Sequence, residues 1–186
     1  APVVLARYEY TDSTNQHTHS QPTLIARPSV IPGQEHQTKL SYNERGQVTS
    51  ITESGYSPID QDGKPNPTVI SRTTTYAYRT VESSNVSVLT AIDGPLANGP
   101  KQDSTDSDIT SFEHGPRGAY VVSTTAPGNL RSVDEHDETT GRVIKRKDAY
   151  GVETRYGYGL SYQNSPTVIE RVGKTTKYSF DALGRV

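Results

Sequence analysis

The residues best suited to chemistry fall in a few short stretches. Asp134-Glu-His-Asp-Glu138 sets one imidazole among four carboxylates, a composition compatible with acid–base catalysis. His17 and His19 lie two apart, so on a strand they share a face, and His36 is near in sequence. Such imidazoles could bind a metal. No third ligand is fixed by spacing, and a solvated loop is the simpler account. Asp103, Asp106 and Asp108 place three carboxylates within six residues, a set that would suit calcium. The spacing is not that of an EF-hand, and a hydrated acidic loop explains it more simply. Arg142, Lys145, Arg146 and Lys147 are interleaved with Val143 and Ile144 and follow an acidic run. A cross-strand charge ladder fits them better than a phosphate site. Gly157-Tyr-Gly159 lacks the third glycine and the helix of a dinucleotide site. Asn85-Val-Ser87 has the pattern of a glycosylation acceptor. No Gly-x-Ser-x-Gly elbow, phosphate-binding loop or paired zinc motif occurs. No residue is therefore assigned as catalytic or cofactor-binding, no cofactor is implied, and the weak metal candidates are Asp103, Asp106 and Asp108.

Composition narrows the classes. At 186 residues the chain is one domain or a fragment of one. Val, Ile, Leu and Phe together make up under a fifth of it, as in disordered chains. The net charge of −2 argues against disorder, which usually needs high net charge too. Twelve Tyr against two Phe and no Trp suggests that tyrosine fills much of the interior. That suits thin sheets with one wet face. With no Cys there are no disulfides or thiolate metal sites. A pI near 6.2 with mixed charge gives no basic stripe, which argues against nucleic acid as a partner. The longest apolar run, residues 1–6, is far too short for a membrane span. There is no Met, and the sequence stops at Val186, two residues into an expected return strand. The missing Met implies either processing before Ala1 or a piece of a longer protein, and the ending favours the piece.

The elements that hold these residues are legible at the C-terminus. In Tyr178-Ser-Phe-Asp-Ala-Leu-Gly-Arg-Val186, Tyr178 and Phe180 share a strand face. Asp181 opens an Asx turn, and Gly184 supplies the left-handed position of a three-residue hairpin loop. Arg185 lands across from Asp181, where opposite charges pair. Leu40-Ser-Tyr42-Asn43-Glu-Arg-Gly46-Gln-Val48 repeats this unit. So does His136-Asp137-Glu-Thr-Thr-Gly141-Arg142-Val143, with one extra turn residue. A degraded copy spans 109–122, with Phe112-Glu113 at the aromatic–Asp pair and Gly115-Pro-Arg-Gly118 as the turn. Asp148-Ala-Tyr-Gly151 ends the copy that holds Asp137. Counting at Asn43, Arg79, Glu113, Asp137, Gly159 and Asp181 gives steps of 36, 34, 24, 22 and 22 residues. A tandem unit of about twenty residues follows.

Between the copies, alternating stretches such as 68–79 and 86–92 read as strands, and no segment longer than a turn has helical spacing. Residues 1–38 are β-like but match no copy of the unit. Residues 39–186 carry the hairpin repeats, with Pro- and Gly-rich insertions at 56–67 and 95–108. The fold expected is all-β: stacked antiparallel β-hairpins forming one continuous curved sheet. A lone hairpin is marginal in water, so stability must come from neighbours. The outermost strands would be open edges, able to pair with further repeats of a parent chain or with identical copies.

The three copies resemble the RHS (YD) repeat family, whose unit reads aromatic-x-aromatic-Asp-x-x-Gly-Arg followed by Val or Leu. The resemblance implies a structural role. Proteins of that family are large and secreted or surface-delivered, and their repeats wind into a β-shell. In bacterial toxin systems the shell encloses an effector polypeptide. Nothing here matches the family's self-cleavage motif. The chain is thus expected to be a non-catalytic wall segment, secreted or at the bacterial cell surface. Two alternatives stay open. One is an adhesin or carbohydrate-binding module, with glycans as partners and tyrosines at 76, 78, 150, 156, 158 and 162 as a platform. The other is a self-assembling extracellular fibre.

Overall fold

A computed structural model describes residues 5–10, 17–29, 31–59, 62–63, 65–96, 108–159, 165–181 and 185. The chain is all-β. Its thirteen strands are β1 (Arg7–Tyr10), β2 (Pro22–Pro28), β3 (Glu35–Tyr42), β4 (Val48–Ile59), β5 (Pro65–Val81), β6 (Val86–Asp93), β7 (Ile109–His114), β8 (Val121–Ala126), β9 (Leu130–His136), β10 (Val143–Lys147), β11 (Glu153–Gly157), β12 (Val168–Arg171) and β13 (Lys174–Lys177). Each strand is hydrogen-bonded to the next in chain order, so no crossover interrupts the ladder. The only helical pieces among the described residues are single 3-10 turns at Pro116–Gly118 and Pro127–Asn129.

Two units divide the chain: residues 1–77 with 92–108, and residues 78–91 with 109–186. In the first, Leu24 pairs with Lys39, Lys39 with Thr52, and Thr52 with Thr73. These four share a face, because directly opposed residues point the same way. The opposite face carries Tyr8, Ile25 and Thr38 in one cross-strand row and Leu40, Ile51 and Thr74 in another. Leu24 and Ala26 are buried, Ala26 to 1% exposure.

The stretch 56–67, expected as an insertion loop, is largely strand. Tyr56 pairs with Val69, Ser57 with Thr68 and Ile59 with Pro65, so the segment is the far end of a long hairpin. The prolines there are compatible with pairing because β5 has seventeen residues and β6 eight. Much of β5 therefore has a neighbour on one side only, where a missing N–H costs no ladder bond. Most of the second expected insertion, 97–107, lies outside the described residues.

In the second unit Glu113, Ser123, Val133, Lys147 and Glu153 form one continuous cross-strand row. Glu135, Lys145, Arg155, Glu170 and Thr175 form the next row on that face. The other face carries Phe112, His136, Val143, Tyr156 and Ile169. Gly118 stands at φ +71°, and a Cβ there would lie 2.7 Å from Val88 Cγ1 and 3.3 Å from Val81 Cγ2. Val88 is the buried apolar residue among the described residues of this unit, and Ser84 Oγ donates to the Arg117 carbonyl at 2.8 Å. The turn after β7 is thus seated on the β5–β6 hairpin.

No large side chain is fully buried among the described residues. Tyrosine does not fill an interior as composition suggested. Tyr76, Tyr78, Tyr156 and Tyr158 are half-buried, and Tyr150 is 84% exposed. Gly118→Ala should destabilise the second unit by about 1–3 kcal/mol, through left-handed strain and crowding against Val88. Urea denaturation measures it, and an unchanged midpoint would contradict the packing described.

Candidate functional site

The sequence motif resolves into a recurrent turn with specific hydrogen bonding. At Asn43 the backbone N–H donates to the Gln47 carbonyl at 2.9 Å, and the Gly46 N–H donates back to the Asn43 carbonyl. Asn43 Oδ1 accepts from the N–H groups of Arg45 and Gln47. This ring holds a tight turn closed by glycine at φ +76°. Gly46 must be glycine for a second reason: a Cβ would lie 2.5 Å from the His17 carbonyl oxygen.

Asp137 makes the same ring one residue wider. Its N–H donates to the Arg142 carbonyl, and its Oδ1 accepts from Thr139 N, Thr140 N and Thr140 Oγ1. Asp181 repeats the four-residue form. Its N–H donates to the Arg185 carbonyl at 2.9 Å, and Arg185 returns both its backbone N–H and its guanidinium to the Asp181 carboxylate. Gly184 lies outside the described residues.

Two further members of the set are turns that the sequence marked without the aromatic–Asp motif. Asp148 has the full pattern, with its N–H on the Val152 carbonyl and its Oδ1 accepting from Tyr150 and Val152. The residue before it is Lys147, not an aromatic, so the motif does not flag it. The other is Gly115, whose N–H donates to the Tyr120 carbonyl while Gly118 N–H returns to Gly115. The turn after β7 is Gly115-Pro-Arg-Gly118, as expected, and the counted position Glu113 falls two residues before it. Phe112 lies within β7 opposite Thr124, and His114 takes the place before the turn. Gly115, Asp137 and Asp181 then stand 22 and 44 residues apart, with the counted position Gly159 midway between the last two and the residues directly after it outside the described ones. Arg79 lies inside β5, before the turn that follows that strand.

In three of these hairpins the ladder slips beside the turn, at Ser41/Tyr42, Glu113/His114 and Val143/Lys145. Such bulges accompany a left-handed glycine in the loop. They re-aim the residue next to the turn. Tyr42 turns its hydroxyl to the Pro22 carbonyl at 2.8 Å, and Tyr158 reaches the Val143 carbonyl at 2.8 Å. Burial pushes both phenols above their ordinary range. His136 stacks on Tyr120 with centroids 4.0 Å apart, and Arg142 lies 5.2 Å from the Tyr158 ring centroid. His114 is held below the usual imidazole range, first by burial and then by Arg79. Tyr178 and Phe180 are half-buried.

The candidate chemical residues are tied into the ladder. Arg146 forks onto both oxygens of Asp134 at 2.7 and 2.5 Å, and Lys145 pairs with Glu135 directly across from it. Arg131 pairs with Glu113 at 2.7 Å. The basic run is thus a cross-strand charge ladder. Asp137 is fixed by Thr139 and Thr140, and the bond from the Thr140 N–H chiefly holds its carboxyl below the ordinary range. It is a turn acceptor, not a proton donor near neutrality. Among the described residues no group of three or more His, Asp or Glu could hold a metal. His17 and His19 sit in the turn before β2, and His36 lies on β3 against Gly55. Asp108 Oδ2 accepts from the Leu96 N–H at 2.7 Å, while Asp103 and Asp106 lie outside the described residues. Asn85 occupies the β5–β6 turn at φ +54°. Among the described residues no helix is long and apolar enough to cross a membrane, which says nothing of β-barrels.

These geometries organise backbone and do not converge on a reacting atom. Comparison with models of known protein families gave no match, and comparison with curated proteins gave none either.

Asp137 provides a pH test. Its folded-state pKa lies below the ordinary 3.8, so its stabilising effect is complete above that value and fades as pH falls through the folded pKa. The wild type should lose stability across this acid window, and Asp137→Asn should lose less. Urea midpoints measured between about pH 5 and pH 2 check this. Equal acid sensitivity in both proteins would contradict the assignment.

Proposed function

We propose that this chain is a non-catalytic wall segment of an RHS-type β-shell, part of a bacterial secreted or cell-surface protein that encloses an effector polypeptide for delivery. One observation carries the reading: the same hydrogen-bonded turn is found at Asn43, Gly115, Asp137, Asp148 and Asp181, three of them 22 and 44 residues apart, along a ladder in which each strand pairs with the next. A wall needs such a unit, because each addition extends the sheet without requiring a new core. The commitment of Asp134, Glu135 and Asp137 to ion pairs or turn bonds supports a structural role. The resemblance of the Asn43, Asp137 and Asp181 units to the RHS repeat supplies the family and the cargo.

A second reading, a glycan-binding surface, is favoured by the exposure of Tyr8, Tyr10 and Tyr150. The two readings differ in what lies beside this chain in its parent. The parent polypeptide should contain further units with this turn and, beyond them, an unrelated segment. That segment should resist added protease until the repeats are unfolded. Cleavage of it at the rate of the isolated segment would overturn the shell reading.

A further inference from the structure

The first unit carries a shallow hollow of about 450 Å³ on one face of β3–β5, opened by the turn at Gly33. Its volume falls in the range of about 300–1,000 Å³ usual for ligand sites. Gln37 stands directly opposite Ser54, and Tyr56 opposite Val69. Glu35 is two residues from Gln37, and Ser54 is two from Tyr56, so all five side chains share that face. Arg7 Nη2 and Gln37 Nε2 both donate to the same oxygen, Glu35 Oε2, at 2.9 and 3.1 Å. Glu35 Oε1, Gln37 Oε1, Ser54 Oγ and Tyr56 Oη make no hydrogen bond among the described residues. Val69 is 65% exposed beside the Tyr56 ring.

We propose that this hollow binds a neutral sugar ring, with hydroxyls donating to Glu35 Oε1 and Gln37 Oε1 and a C–H face lying on Tyr56 and Val69. The balance of groups selects this class. Two open acceptors call for a ligand rich in hydrogen-bond donors, since an apolar ligand would leave them dry. Arg7 is shared between Glu35 and Glu9, so the cluster keeps one net negative charge, which disfavours an anion. A cation is the competing ligand class, and the glucosamine control separates it from a neutral sugar. An aromatic ring next to an exposed valine provides an apolar strip for the ring's C–H face. The inference rests on this site alone and not on the shell reading.

Amide-resolved NMR titration of the whole chain tests it. The probes are glucose, galactose, mannose and N-acetylglucosamine, against glucosamine and glucuronate as charged controls. At least one neutral sugar should shift the amides of Gln37, Ser54 and Tyr56 saturably. Tyr56→Ala and Gln37→Ala should each weaken binding about tenfold, as loss of about 1.4 kcal/mol would. Tyr150→Ala should bind as the wild type does. If Tyr56→Ala loses its dispersed spectrum, Ser54→Ala, which removes one hydroxyl, takes its place and should still weaken binding. Absence of saturable shifts with all four neutral sugars, stronger binding of a charged control, or unchanged affinity in the folded variants would overturn the proposal.

Discussion

A sheet with almost no enclosed core depends on its backbone ladder. The chain exposes 13154 Å². A globule of 20.3 kDa would expose about 8,800 Å², and even two separate globules of half that mass about 10,600 Å². The usual hydrophobic term is correspondingly small, and Leu24, Ala26 and Val88 are the buried apolar side chains among the described residues. What remains is strand-to-strand pairing, repeated without a crossover, with side chains packing along rows across the strands. Each interior strand is ordered by two neighbours, and a strand with one neighbour loses half of that support.

Such a ladder is vulnerable to slippage, because a one-residue shift moves every side chain to the opposite face. The recurrent turn answers this weakness. Asn43, Asp137, Asp148 and Asp181 each fix the loop by binding backbone N–H groups inside it, and left-handed glycines at 46, 141 and 151 close the loop at defined length. Tyr42 and Tyr158 add a second lock by reaching backbone carbonyls on another strand. Ion pairs such as Asp134–Arg146 add register information, although exposed pairs contribute little energy. Charged and polar side chains therefore carry much of the specificity that an apolar core carries elsewhere.

The turns were legible in the sequence wherever an Asx residue, a glycine at the right distance and an aromatic neighbour occurred together. Asn43, Asp137 and Asp181 satisfied all three, counting His136 as aromatic. Asp148 satisfied two, and its hydrogen bonding is as complete. The aromatic residue thus marks anchoring to another strand, not the turn itself. Phe112-Glu113 drew the register two residues early because it imitates the motif inside a strand. The prolines of 56–67 imitated a loop because a strand's tolerance of proline depends on neighbours that are distant in sequence. The hollow at Glu35, Gln37 and Tyr56 had no local signature, since opposed strands bring its residues together.

The central claim is that no ribbon here is stable without its neighbours, and it can be measured on one hairpin. A peptide spanning residues 130–147 contains β9, the Asp137 turn and β10. Amide hydrogen exchange of that peptide, compared with the same amides in the whole chain, isolates the contribution of flanking strands. The account predicts near-random-coil exchange in the peptide and strong protection in the chain. Comparable protection in both would mean that the hairpin stabilises itself, contradicting the account.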